Sequence, residues 1–346
     1  MAERARSARR EVTAFRGIAT TLPSLVICYH ARVSVTVSVS VDLDALACYH
    51  RIHALAEPVP EGARFAVLRR CLPRFGALFR KHGVKATFFV VGQDLEEDEE
   101  GRSLLRGLAA EGHELASHSH THPYDLVRLS AAQIAAELDR AHAVIAQTAG
   151  QAPVGFRAPG YEVTRTVLTL LAERGYRYDS SVFPSVPYYA AKALVMGGMR
   201  VLGRQSGSIL GSPRVLRAPT RPYRPAAENP YARGQLDLVE LPVSVTPVLR
   251  LPVIGTALVT APAVLRRALV ASALSRDFFN FELHGIDLCD ATGDGLASAL
   301  VNKQPDLRVS LVRKLDALDA TLEACQTARA RFVPLREVAA EVSGRL

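Results

Sequence analysis

Tryptophan is absent from all 346 residues, so no indole lines any pocket this chain forms. The five cysteines (Cys28, Cys48, Cys71, Cys289 and Cys325) are scattered, and no two have Cys-x-x-Cys spacing. That pattern indicates neither a thiolate metal site nor a disulfide framework, and a reducing compartment fits it best. No uninterrupted apolar run reaches the ~18–20 residues that a membrane span requires. Zinc-finger spacing, an RNP-like aromatic strand and a basic zipper are also missing, which leaves no nucleic-acid module.

What is present is the composition of an ordinary globular protein, 49% hydrophobic and 22% charged. The formal charge of +8 is unevenly spread. Between Pro184 and Leu236, seven arginines and one lysine meet the single acid Glu228. Such a stretch suits phosphate, anionic glycans, membrane headgroups or nucleic acid, and is equally readable as a solvated loop surface. At the N-terminus, Arg4, Arg6, Arg9 and Arg10 precede a mildly apolar run, Ile18–Tyr29, that Thr, Pro and Ser interrupt. With no small-residue cleavage site, residues 1–32 read as a basic arm rather than a signal peptide.

From Val33 the chain alternates strand and helix. Val33–Val41 is β-branched and ends on Asp42 and Asp44; Lys85–Val91 is a near-continuous apolar run, as in a parallel strand buried on both faces. Further strands are expected at Glu114–Ser117, Phe156, Tyr176–Ser180, Leu236–Leu241, Phe278–Leu283 and Phe332–Leu335. Helices are expected over Phe65–His82, Ser103–Ala110, from Ser130 to Gly150, over Thr164–Arg174 and along Leu311–Cys325. Six or seven such units without a break predict one barrel-like α/β domain over 33–342, with an insertion at 184–236. Barrel chemistry collects at the C-terminal ends of strands. The unusual polar residues fall there: Asp42 and Asp44, His118 and His122, Arg157, Asp179 and His284.

His118 and His122, at i and i+4, can converge on one ion, although alone the spacing also suits surface histidines. His120 between them points away from both and reads either as a support behind them or as solvent-facing. Asp42 and Asp44 leave their strand two residues apart and so on one side, although a turn or helix cap explains them equally well. Arg157 beside a Pro-Gly turn can hold a carboxylate ionised. His284 follows an apolar strand and can protonate a leaving amine, with Asp179 orienting that imidazole or pairing with Arg157.

Together these residues resemble the NodB-homology polysaccharide deacetylases (carbohydrate esterase family four). The likeness rests on Ser40-Val41-Asp42-Leu43-Asp44, His118-Ser119-His120-Thr121-His122, Arg157-Ala158-Pro159-Gly160-Tyr161, Tyr178-Asp179-Ser180-Ser181 and Leu283-His284, in that order, with Ala86-Thr87-Phe88-Phe89-Val90 between the first two. It implies a distorted (β/α)7 barrel and metal-dependent removal of acetyl or formyl from an N-acylated amino sugar in a glycan or lipid-linked saccharide. It also implies Asp44, His118 and His122 as ligands of a divalent ion, zinc first, with cobalt or nickel suiting the same donors. Asp42 would be the base, Arg157 its orienting partner, His284 the acid, and the Tyr161 backbone amide a donor to the oxyanion.

Two departures bear on substrate. Leu43 separates the aspartates, similar to the peptidoglycan-deacetylase and allantoinase-like branch and to deformylases of lipid-linked aminoarabinose. The tryptophan common in the fourth motif is missing, which leaves the acyl group open. A cyclic amide or ureide hydrolase, or a non-catalytic glycan-binding barrel, are the alternatives. The expected location is the cytoplasm, with peripheral inner-membrane contact through 184–236.

Overall fold

The computed structural model describes residues 35–201, 203 and 206–345; the basic arm at 1–32 lies outside them. The first half runs β1 (Thr36–Asp42), α1 (Leu46–Ile52), α2 (Leu72–His82), β2 (Thr87–Val90), α3 (Gly92–Glu97), α4 (Glu99–Ala110), β3 (Glu114–Ser117), α5 (Ala131–Ala149), β4 (Gly155–Phe156), α6 (Arg165–Glu173) and β5 (Tyr178–Asp179). There follow α7 (Val186–Val201), β6 (Pro225–Ala226), β7 (Asn229–Arg233), β8 (Val239–Glu240), α8 (Gly255–Thr260), α9 (Ala263–Leu274) and β9 (Phe278–His284). The chain finishes with α10 (Ser298–Lys303), α11 (Leu311–Thr327), β10 (Arg331–Phe332) and α12 (Leu335–Ser343).

Seven strands lie side by side in the order β9-β1-β2-β3-β4-β5-β8, all parallel, and β10 pairs with the first residues of β1. The sheet curls, and Asn280 reaches from β9 to the chain just after β8, its Nδ2 donating to Leu241 O at 3.0 Å. This is the expected seven-stranded α/β arrangement, a curled parallel sheet wrapped by helices.

The first strand shows why the interior can hold chemistry. In Thr-Val-Ser-Val-Ser-Val-Asp the valines and the polar residues point to opposite faces. Val37, Val39 and Val41 pack outward into the helical layer with Phe75, Phe79 and Leu318. Ser38, Ser40 and Asp42 face inward, and each sits level with Asn280, Glu282 or His284 of β9. Two polar strand faces are thus zipped together in register, ending on Asp42 beside His284.

The 184–236 region is not one basic surface. Its first part is α7; its second is the β6–β7 hairpin, where Arg224 pairs with Asp237 at 2.9 Å and Arg221 with Asp277 at 3.5 Å. Acids just outside the stretch take up part of its charge, so the excess counted along the sequence is divided in space. Distant cysteines also meet: the buried thiols of Cys71 and Cys289 lie 3.1 Å apart, a contact that their 218-residue separation conceals.

Candidate active site

Three side chains converge just beyond the ends of β1 and β3. Asp44 Oδ1 lies 3.1 Å from His118 Nε2 and 3.2 Å from His122 Nε2, and the two imidazole nitrogens are 3.2 Å apart. All three residues are buried. His118 donates from Nδ1 to Arg157 O at 2.6 Å, which turns its Nε2 into the site. Asp44 Oδ1 accepts no aligned hydrogen bond, an orphaned buried oxygen facing two nitrogens. Ligands about 2.0–2.1 Å from a tetrahedral zinc ion lie roughly 3.3 Å from one another, so this triangle fits a divalent cation.

The loop carrying the histidines is bent out of ordinary backbone geometry. Ser119 and His122 have φ of 65° and 54°, the left-handed region that non-glycine residues seldom occupy. Glu137 of α5 holds the bend, accepting from the His120 and Thr121 amides at 3.0 and 2.8 Å and from Thr121 Oγ1 at 2.8 Å. Gly92 permits it from the other side, because a Cβ there would meet His120 Nδ1 at 2.7 Å. His120 is buried against this frame, with Nε2 3.7 Å from Glu96, so of its two expected placements the structure has the buried one and not the solvent-facing one.

Asp42 sits beside the triangle, its Oδ2 4.0 Å from His118 Nε2. Arg157, fully buried, donates to Asp42 Oδ1 at 2.5 Å, and Ser40 Oγ, Ser180 Oγ and Ser180 O accept its remaining hydrogen bonds. Its guanidinium also lies 4.1 Å from the Phe89 ring centroid. Burial raises the Asp42 carboxyl above the usual carboxylate range against the pull of Arg157 and His118. Across the strand pair, His284 Nδ1 lies 2.8 Å from Glu282 Oε1, as an ion pair whose N–H is not aligned on the oxygen. Burial opposes the charged ring, but Glu282, helped by Asp42 and Asp44, outweighs it and holds the His284 pKa well above the usual imidazole value.

Two expected roles are corrected here. Asp179 reaches neither His284 nor Arg157 with a hydrogen bond; it accepts from Ser181 Oγ at 2.6 Å and sits level with Glu240 of β8. The register of β5 against β8 turns it to that side, and the carboxylate on the histidine comes instead from Glu282. The Tyr161 amide is already used within the Pro159–Tyr161 turn, donating to Ala158 O at 3.0 Å. What Tyr161 presents is its hydroxyl, 3.3 Å from His284 Nε2.

Asp42, Asp44, His118 and His284 all line one cavity of about 510 Å³. Tyr49, Tyr124, Tyr161 and Tyr188 wall it where a tryptophan was missed, and α7 and α8 also contribute to its lining. Residues 66–178 match the family model described as polysaccharide deacetylase. The chain contains a polysaccharide deacetylase domain. His118, His122 and Arg157 fall inside the matched stretch, whereas β1 and β9 bring Asp42, Asp44 and His284 from outside it. The chain is 30% identical over 120 residues to the peptidoglycan deacetylase of Helicobacter pylori, covering 34% of this chain and 40% of that one. Over 106 residues it is 39% identical to the chitooligosaccharide deacetylase of a Bradyrhizobium strain, covering 30% of this chain and 47% of that one. The chain thus spans less than half the length of these curated relatives. A candidate polysaccharide deacetylase from Mycobacterium smegmatis shares the fold, with a TM-score of 0.56 at 19% identity over 90% of this chain and 91% of that one.

Proposed function

We propose that this chain is a metal-dependent amide hydrolase that removes acetyl or formyl from an N-acylated amino sugar, in a glycan or a lipid-linked saccharide. The observation that supports the reading is one cavity lined by Asp42, Asp44, His118 and His284, with His122 completing the Asp44–His118–His122 triangle beside it. The names of the relatives, deacetylases of peptidoglycan and of chitooligosaccharide, support the same chemistry. At about 510 Å³ the cavity matches pockets that enclose drug-sized ligands, which is more room than a cyclic imide needs.

Asp44, His118 and His122 would hold the ion, most readily zinc, with cobalt or nickel accepted by the same donors. A divalent ion there supplies Lewis acidity toward water and toward the amide carbonyl. Asp42 takes the proton of the attacking water, and Arg157 fixes the carboxylate that receives it. His284 delivers a proton to the amine nitrogen, since an amide leaves poorly as an anion. Glu282 keeps that imidazole charged and oriented, and the Tyr161 hydroxyl steadies the opposite ring nitrogen.

Mass-spectrometric screening of acylated amino sugars for acyl release tests the reading. Asp42→Asn and His284→Ala should each lower kcat by about 10²- to 10⁴-fold. Release that both variants leave at the wild-type rate would overturn it.

A further inference from the structure

Helix α7 is the one long helix among the described residues that buries none of its side chains. A surface helix ordinarily turns an apolar stripe inward and a charged face to water. This one reads Val-Pro-Tyr-Tyr-Ala-Ala-Lys-Ala-Leu-Val-Met-Gly-Gly-Met-Arg-Val, with Lys192 and Arg200 its only charges. Leu194, Val195 and Val201 are 78%, 57% and 87% exposed. Aliphatic groups gathered in this way mark a surface that something covers.

The helix is anchored, so its exposure is a built feature. Lys192 Nζ donates to Gly160 O at 3.2 Å and meets Glu162 Oε1 at 3.3 Å, while Tyr189 Oη donates to Gly211 O at 3.0 Å. One side of α7 walls the catalytic cavity through Tyr188, Lys192, Val195 and Met196. Helix α8, which also lines the cavity, leads directly into α9, whose first turn exposes Val264 at 73%. Charge completes the pattern: no Asp or Glu occurs between Asp179 and Glu228, whereas Arg200, Arg214 and Arg217 stand exposed in that stretch. At 16 residues α7 falls short of the ~20 that cross a bilayer, and no helix of the described residues is long and apolar enough to do so.

We propose that α7 lies on an anionic lipid surface, its aliphatic side chains entering the headgroup boundary and Arg200 meeting lipid phosphates, so that the cavity beside it receives substrate from the membrane plane. Only this last clause rests on the hydrolase reading above. The acyl-bearing sugar would then carry a hydrocarbon anchor, consistent with the apolar Val195, Met196, Ile254 and Ala257 on the cavity walls.

Flotation of the full chain tests this with vesicles of phosphatidylcholine alone or mixed with phosphatidylglycerol. The wild type should float with the mixed vesicles and less so at high salt. Leu194→Glu combined with Val201→Glu should cut flotation by about tenfold or more, with an unchanged thermal melt. Neither residue lines the cavity. A wild type that stays unbound to both vesicles overturns the proposal. Flotation that the double variant leaves unchanged also overturns it, because the contact then belongs to another surface. A dimer that the double variant dissolves, without vesicle binding, assigns the face to a second copy and overturns it too. Acyl release from soluble sugars, measured on the same samples, separates this outcome from failure of the hydrolase reading.

Discussion

His284 and Glu282 stand two residues apart on β9, on one face of the strand, and this spacing sets the charge of the proposed acid. The carboxylate keeps the imidazole protonated to higher pH than a free histidine. Activity that depends on the protonated ring is therefore lost as pH rises through that raised pKa. Glu282→Gln removes the nearest negative charge, so the basic limb of kcat/KM should move to lower pH, with Glu282→Asp in between. A basic limb that stays in place would show that another group holds the proton. His284, Asp42 and Asp44 were legible because a charged residue ending an apolar strand is conspicuous. Glu282 was not, since it lies inside Phe-Phe-Asn-Phe-Glu-Leu-His; its parity with His284 was the available signal. Tyr161 lines the cavity with its hydroxyl and not the expected amide, because the turn that consumes its amide is a matter of backbone geometry.

At the scale of elements, the ligand loop is a strained bend clamped by a neighbouring helix. Glu137 closes three hydrogen bonds on it from α5, the next α-helix along the chain. Glu137→Ala should leave the sheet folded and lower zinc affinity about 10- to 100-fold, as loss of a support beneath metal ligands does. Competition with a chromogenic chelator reads this directly, and an unchanged affinity would show that the loop holds its shape unaided. Periodicity located the strands well, because residues buried on both faces leave apolar runs that polar loops bound. It could not divide the 184–236 stretch into a bare helix and a charge-paired hairpin. Composition counts charges, whereas the fold decides which acids they meet.

Across the whole molecule, the curled sheet buries an acidic pair away from the cavity. Asp179 and Glu240 sit level on β5 and β8, and burial, reinforced by the Asp179 charge, raises Glu240 well above the ordinary carboxylate range. The folded chain keeps a proton that the unfolded chain releases at an ordinary glutamate pKa, so this contribution to stability is complete at low pH. It is lost as pH rises from about 4.3 toward the raised value. Glu240→Gln mimics the protonated group permanently, so its melting temperature relative to wild type should climb between about pH 5 and pH 8. A difference that stays flat over that range would show that Glu240 does not keep its proton in the folded chain. The seven-strand order was legible as a fold because helix and strand alternate without interruption. The pairing of Asp179 with Glu240 was not, since it depends on the register of two strands of two residues each.

In the proposed mechanism Asp44, His118 and His122 hold the ion on which hydrolysis depends. Zinc titration of metal-free protein, followed by calorimetry with acyl release measured on the same samples, tests it most directly. One ion should bind per chain and restore release, and His118→Ala combined with His122→Ala should abolish both. Full release by the metal-free wild type, or unchanged stoichiometry in the double variant, would show that these residues do not hold a catalytic ion.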